Sequence, residues 1–214
     1  MPRFLTVLDV DSTLIEDEVI ELLAEAAGSR DEVARITHSA MAGEIDFADS
    51  LAARVETLAG LPVSVFDEVR ARLRLTRGVE RLIAGLHAQG SVVAVVSGGF
   101  DEILDPLARE LGLDRWRANR LEVASGRLTG ATTGPVVDAR VKADSLTSWA
   151  SEFDVPLAQT VAVGDGANDL EMMRVAGLSV AFNAKPAVRA VADVVVSDPD
   201  LAQVLALVGL PDRP

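Results

Sequence analysis

Five short runs of apolar, largely β-branched residues stand out along the chain, at 4–8, 92–96, 160–163, 178–182 and 194–196. Each is nearly continuous rather than alternating, the pattern of a parallel strand covered on both faces. Apolar residues at helical spacing fill the intervals, at 79–88, 101–111, 142–153, 169–176 and 201–208. Strands alternating with helices predict a layered α/β sheet of the Rossmann-like kind, parallel and with helices on both faces.

Two stretches break that rhythm. Residues 15–75 hold no strand-like run and read instead as four successive helices, at 18–27, 31–42, 47–59 and 64–73. Turn signals at Gly28-Ser29, Gly43 and Gly60-Leu61-Pro62 separate them. About sixty residues of helix placed directly after the first strand predict a small inserted bundle, so that 1–14 and 76–214 form the core and 15–75 a cap. The second break, near 120–134, has the form of a short hairpin turning at Ser125-Gly126.

Composition narrows the classes. The 214 residues are 49% hydrophobic, enough to bury a sizeable core. Lys and Arg total 20 against 33 Asp and Glu, a net charge of −13. A chain so acidic, with no basic stripe, is not expected to bind nucleic acid or an anionic membrane. The absence of cysteine removes disulfides, thiolate nucleophiles and zinc–thiolate sites. No apolar run approaches the ~18 residues of a membrane span, so a soluble, cytoplasmic protein is expected. Of the 20 basic residues only Lys142 and Lys185 are lysine, which makes each worth a question.

Candidate chemistry gathers at strand ends. The first strand runs into Asp9-Val10-Asp11-Ser12-Thr13, and residues two apart in extended backbone face the same side. Ligands in open α/β sheets bind beyond the carboxyl ends of the strands, where this pair falls. Two clustered carboxylates call for a cation or a proton between them, and a hard cation such as Mg²⁺ would hold one while leaving the other for proton transfer. The plainer reading of an Asp-x-Asp here is a helix cap. The second strand ends in Ser97-Gly98-Gly99, where a hydroxyl and two unencumbered N–H groups can cradle a phosphate, or can simply turn the chain. The third ends in Gly164-Asp165-Gly166-Ala167-Asn168-Asp169. Asp165 is placed to join Asp9 around one metal, and Asp169 to orient the groups behind it, or to complement a helix dipole. Lys142 sits in a helix first turn, against the dipole, and reads as a charge retained for a site. Lys185, beside Pro186, receives no role, and His38 and His87 read as ordinary helix residues.

These segments, in this order, resemble the four motifs of the haloacid dehalogenase superfamily of phosphotransferases. Within it they are similar to the branch that hydrolyses O-phospho-L-serine, with Val10 a conservative departure between the two aspartates. The likeness runs through the insertion, where Glu18, Met41, Phe47 and Arg54 fall at substrate-contacting positions, and so covers nearly the whole chain. Some relatives carry an additional regulatory domain, for which this chain has no length.

The resemblance implies a Mg²⁺-dependent phosphatase acting on a small molecule, the closing step of serine biosynthesis, as a monomer or homodimer. Asp9 would be the nucleophile and Asp11 the acid–base, with Mg²⁺ held by the Asp9 and Asp165 carboxylates and the Asp11 backbone carbonyl. Ser97, Gly98, Gly99, Asn168 and Lys142 would line the phosphoryl site, and Lys142 would steady its charge. Glu18 would meet the substrate ammonium and Arg54 its carboxylate, while Met41 and Phe47 close over them; read from the residues alone, these four are ordinary helix or core residues. Two neighbouring enzymatic readings use the same residues, transfer of the phosphoryl group to an alcohol such as homoserine and a broader phosphomonoesterase. A receiver-type signalling module also uses a strand-end Asp, a hydroxyl and a Lys, but it has no inserted cap and no second carboxylate two residues on.

Overall fold

The computed structural model describes residues 3–41 and 44–209, Met41 through its backbone only. Seven strands form one sheet: β1 (Leu5–Leu8), β2 (Val92–Phe100), β3 (Arg115–Ala124), β4 (Arg127–Thr133), β5 (Thr160–Gly164), β6 (Leu178–Phe182) and β7 (Val194–Val196). Their order is β4-β3-β2-β1-β5-β6-β7, all neighbours parallel except the β3–β4 hairpin. β1 lies at the centre, with Leu5–Leu8 in register with residues 92–95 on one side and 160–163 on the other. The chain therefore leaves β1 toward β2 and later returns to its opposite edge at β5, which makes the carboxyl end of β1 the point where strand order reverses.

Side-chain alternation divides the core into two layers. Val93, Val95, Val161, Val163 and Val180 face one way, where they pack with Leu82 and Leu86 of α5 (Val79–Ala88), Ile103 and Leu104 of α6 (Asp101–Leu111) and Leu205 of α10 (Gln203–Leu207). Leu5, Val7, Ala94, Val96, Ala162 and Ala181 face the other way. There they meet Leu146 and Trp149 of α7 (Ala139–Glu152), Met172 and Met173 of α8 (Leu170–Val175) and Val188 of α9 (Pro186–Arg189). Helices cover both faces, so the central strands read as unbroken apolar runs.

Between β1 and α5 stand α1 (Val19–Ala27), α2 (Arg30–Met41), α3 (Phe47–Glu56) and α4 (Val65–Arg70). The chain leaves and re-enters the sheet region through one neck. Ile15 and Leu75 form an antiparallel bridge, Glu16 N–H donates to Arg74 O at 2.9 Å, and Arg74 donates to Asp17 from both its backbone N–H and its guanidinium, each at 2.8 Å. Leu23, Val33, Leu51, Val55 and Leu58 of this helical stretch belong to the same apolar cluster as Val93, Leu121 and Leu128. The β3–β4 hairpin makes that connection: Gly60 N–H donates to Leu128 O at 2.8 Å and Leu128 N–H to Leu61 O at 2.9 Å.

Two strands exceed the sequence expectation. β2 continues through Ser97-Gly98-Gly99 to Phe100, and the hairpin is the outer half of a ten-residue strand whose first half pairs with β2. Arg115, Trp116 and Arg117 carry no apolar run because this part of β3 is only half-covered, and Trp116 Nε1 donates instead to Asp105 at 2.5 Å.

Candidate active site

The candidate catalytic groups sit at the carboxyl ends of the central strands. Asp9 follows β1 directly, and its N–H donates to Val163 O of β5 at 2.9 Å, locking the strand end in place. The chain then turns sharply: Ser12 adopts φ 58°, a left-handed conformation that costs energy for a residue with a Cβ, and its hydroxyl donates to Glu18 at 2.7 Å. Asp11, inside that turn, accepts from Val19 N–H at 2.9 Å and from the Ser97 hydroxyl at 3.3 Å.

Behind Asp9 lies a buried ion cluster. Lys142 Nζ is wholly enclosed and donates to Asp9 Oδ1 at 2.5 Å and to Asp169 Oδ1 at 2.8 Å. α7 brings it there, its start fixed by Asp138, which accepts from Val141 N–H at 2.8 Å. The second Asp169 oxygen accepts from Gly166 N–H at 3.1 Å. Gly164 is required by this packing, because a Cβ there would stand 2.3 Å from Asp169 Oδ2. Oxygens of Asp9, Asp165 and Asp169 lie within 4.8 Å of one another. The Asp11 carboxylate is outside that group, engaged by Val19 and Ser97, and its expected contact with a metal was through the backbone carbonyl.

Electrostatics follow from this crowding. Burial, reinforced by Asp169, holds Asp9 well above the usual carboxylate range despite Lys142. Burial and then Asp169 push Asp165 up to about 6. Burial and then Glu18 push Asp11 up to about 7. Burial alone would depress Lys142, but the charges and hydrogen bonds of Asp169 and Asp9 reverse that, so its ammonium stays protonated. Three carboxylates around one lysine form an all-oxygen donor set short of positive charge, which fits a hard divalent cation such as Mg²⁺.

Ser97, Gly98 and Gly99 sit where β2 loses register with β3, between residues 96 and 100. Gly99 N–H donates to Ser97 Oγ at 2.7 Å, so this N–H is turned inward onto the hydroxyl. A residue that the sequence did not reveal organises the segment. Asn119, almost fully buried, donates to Gly98 O at 2.8 Å and accepts from Val137 N–H at 2.8 Å, tying the β2 end to the segment that leads into α7 and Lys142. Its partners are 21 and 18 residues away, so no local pattern could mark it.

A cleft of about 630 Å³ opens in front of these groups. Asp9, Asp11, Gly98, Asp165 and Asn168 form its core wall, and Glu18, Phe47, Ser50 and Arg54 its helical wall. Phe47 lies over Gly98, where a Cβ would stand 3.1 Å from the ring edge. Arg54 donates to Ser50 O at 3.1 Å; burial lowers its pKa, while Glu18 and Asp11 pull the other way. The Met41 side chain, expected beside them, lies outside the described residues.

The chain is similar to known proteins over nearly its whole length. The family model of the haloacid dehalogenase-like hydrolases matches residues 6–174. A phosphoserine phosphatase of Streptomyces coelicolor is 57% identical over 96% of the chain and 50% of its own length. One of Lactococcus lactis is 52% identical over 95% of the chain and 94% of its own length. The chain thus spans about half of the first relative and nearly all of the second. A solved structure described as a phospho-aspartyl intermediate analogue of phosphoserine phosphatase is 42% identical, superposes with a TM-score of 0.91, and covers 97% of this chain and 99% of its own. With its parallel sheet, its strand-end carboxylates and a family match over most of its length, this chain belongs to the haloacid dehalogenase-like hydrolases.

Proposed function

We propose that this chain hydrolyses O-phospho-L-serine to serine and inorganic phosphate, with Asp9 as the phosphoryl acceptor. The observation that carries the reading is the convergence of Asp9, Asp165 and Asp169 within 4.8 Å, with Lys142 bonded to two of them. Relatives named phosphoserine phosphatase at 57% and 52% identity supply the substrate class.

The free Asp9 oxygen faces the cleft and attacks phosphorus, displacing the serine alkoxide and forming an aspartyl-phosphate, which splits one hard displacement into two easier ones. Asp11, with a pKa near neutrality, protonates the departing serine oxygen and then takes a proton from the hydrolytic water. Lys142 fixes the Asp9 carboxylate in one orientation through its 2.5 Å bond and offsets the charge that builds on the transferring group. Mg²⁺ would be held by Asp9 and Asp165, with Asp169 behind them, and would supply charge neutralisation for the phosphoryl oxygens. Gly98, Gly99 and Asn168 bound the space that the phosphoryl group enters, with the buried Ser97 hydroxyl accepting from Gly99 N–H behind them.

Residues 15–75 serve as the specificity cap over a core of 1–14 and 76–214. The phosphoserine ammonium meets Glu18 and its carboxylate meets the Arg54 fork, a geometry arginine provides and lysine does not. Phe47 closes over Gly98 and keeps water from the reacting centre.

The test is phosphate release from phosphoserine beside a panel of other phosphomonoesters, with and without Mg²⁺, and with homoserine as an alternative acceptor. The expected outcome is Mg²⁺-dependent release that favours phosphoserine. Equal rates across the panel would replace the substrate by a broader class, and phosphohomoserine as the main product would replace hydrolysis by transfer.

A further inference from the structure

Among the charged residues that line the cleft, four are carboxylates, Asp9, Asp11, Glu18 and Asp165, and two are cations, Arg54 and Lys185. Lys142 is not among them, being buried behind Asp9 and bonded to two carboxylates. An anionic substrate therefore enters a protein of net charge −13 through a cleft whose lining offers it two cationic side chains beside four carboxyl groups. The two cations that face it stand on opposite walls. Arg54 belongs to α3 and the helical wall. Lys185 lies on the core wall, in the loop between β6 and α9, and is exposed.

The backbone at Lys185 is firmly placed. Its N–H donates to the Asp165 carbonyl at 3.0 Å, and Val188 and Arg189 N–H groups donate back to its own carbonyl at 3.0 and 3.1 Å. Its ammonium, by contrast, forms no ion pair within 4.0 Å among the described residues, although its charge is felt at Asp165. A backbone anchored beside the carboxylate cluster thus carries an exposed cation on the cleft wall. Lysine suits that place: a compact, strongly hydrated charge on a flexible stem attracts a dianion without locking it, whereas an arginine fork would hold it bidentately. In a chain where 18 of 20 basic residues are arginine, lysine here is the exception.

We infer that Lys185 is the phosphate-steering residue of this cleft, drawing the phosphoryl dianion of the substrate to the core wall and retaining inorganic phosphate before release. The inference rests on the phosphomonoester reading above, but inorganic phosphate tests it without turnover. The experiment compares the parent protein with Lys185→Gln and Lys185→Arg in Mg²⁺-containing buffer. Phosphate affinity is read from thermal stabilisation by titrated inorganic phosphate. KM, kcat and their salt dependence are read with phosphoserine.

Lys185→Gln is expected to weaken phosphate binding roughly tenfold, to lower kcat/KM far more than kcat, and to flatten the fall of kcat/KM with salt. Lys185→Arg should recover most of the affinity and the salt slope, which a merely structural role would not produce. Unchanged phosphate affinity and salt slope in Lys185→Gln would overturn the inference. So would equal losses in both variants, or a loss confined to kcat, or a parent protein that phosphate does not stabilise. A parent protein that binds phosphate normally but does not turn over phosphoserine would instead refute the substrate assignment, with Lys185 still judged by the phosphate titration.

Discussion

The two walls of the cleft are built on different terms. On the core wall the proposed phosphoryl acceptor and the charges behind it are buried and multiply held: Asp9 by Lys142 and the β5 carbonyl, Lys142 by two carboxylates, Asp169 by Lys142 and Gly166. On the helical wall Glu18 is exposed and its carboxylate accepts from the Ser12 hydroxyl, Phe47 is half-buried, and Arg54 bonds to a backbone carbonyl one turn away. A rigid wall suits chemistry, where small misplacements cost rate, and a looser wall suits recognition, where side chains must admit and release a substrate.

The contrast can be broken at specific residues. The largest effect belongs to Lys142→Met, which leaves Asp9 and Asp169 buried without their shared cation. It should destabilise the protein by about 3–5 kcal/mol, read by chemical denaturation. A loss below about 1 kcal/mol would mean that the core wall is not held by this ion cluster. Arg54→Ala comes next. It should cut kcat/KM for phosphoserine on the order of a hundredfold while sparing a phosphomonoester without a carboxylate, and leave stability nearly unchanged. Equal losses on both substrates would move Arg54 from recognition to scaffold.

Asn119→Leu sharpens the comparison from the other side. It strips partners from Gly98 O and Val137 N–H, so a cost of about 2 kcal/mol is expected, with activity falling alike on every phosphomonoester. A fall selective for phosphoserine would contradict its place on the chemical wall. The smallest effect is at the neck. Hydrogen bonds and charge from Arg74 outweigh burial and hold Asp17 below the usual carboxylate range. A depressed carboxylate stabilises the fold above its unfolded pKa and loses that contribution as pH falls through the folded value. Asp17→Asn should therefore cost about 1 kcal/mol near neutrality and progressively less as the solution is acidified below about pH 4. A cost that does not shrink in acid would assign Asp17 a role independent of its charge.

Much of this was readable from the chain because the chemistry sits where a local signal exists. Asp9, Ser97 and Asp165 each follow an apolar run, and strand ends in a parallel sheet share one edge, so their convergence follows from topology. Lys142 was marked by its rarity, although its partner Asp9 lies 133 residues away. The features that carry no mark in the chain depend on long-range contacts with no periodic signature. The start of β3 is polar because it is partly exposed, β2 runs on through glycines that carry no strand signal, and Asn119 is one asparagine among ordinary residues until the fold brings Gly98 and Val137 to it.

The central claim is that the Asp9 carboxylate carries the phosphoryl group during turnover. Single-turnover quench with phosphoserine labelled in its phosphate tests it most directly. The label is predicted on the peptide containing Asp9, released by hydroxylamine as an acyl phosphate, and absent from Asp9→Asn, whose turnover falls on the order of 10⁴-fold or more. Label on another residue, or phosphate release at the parent rate from Asp9→Asn, would contradict the account.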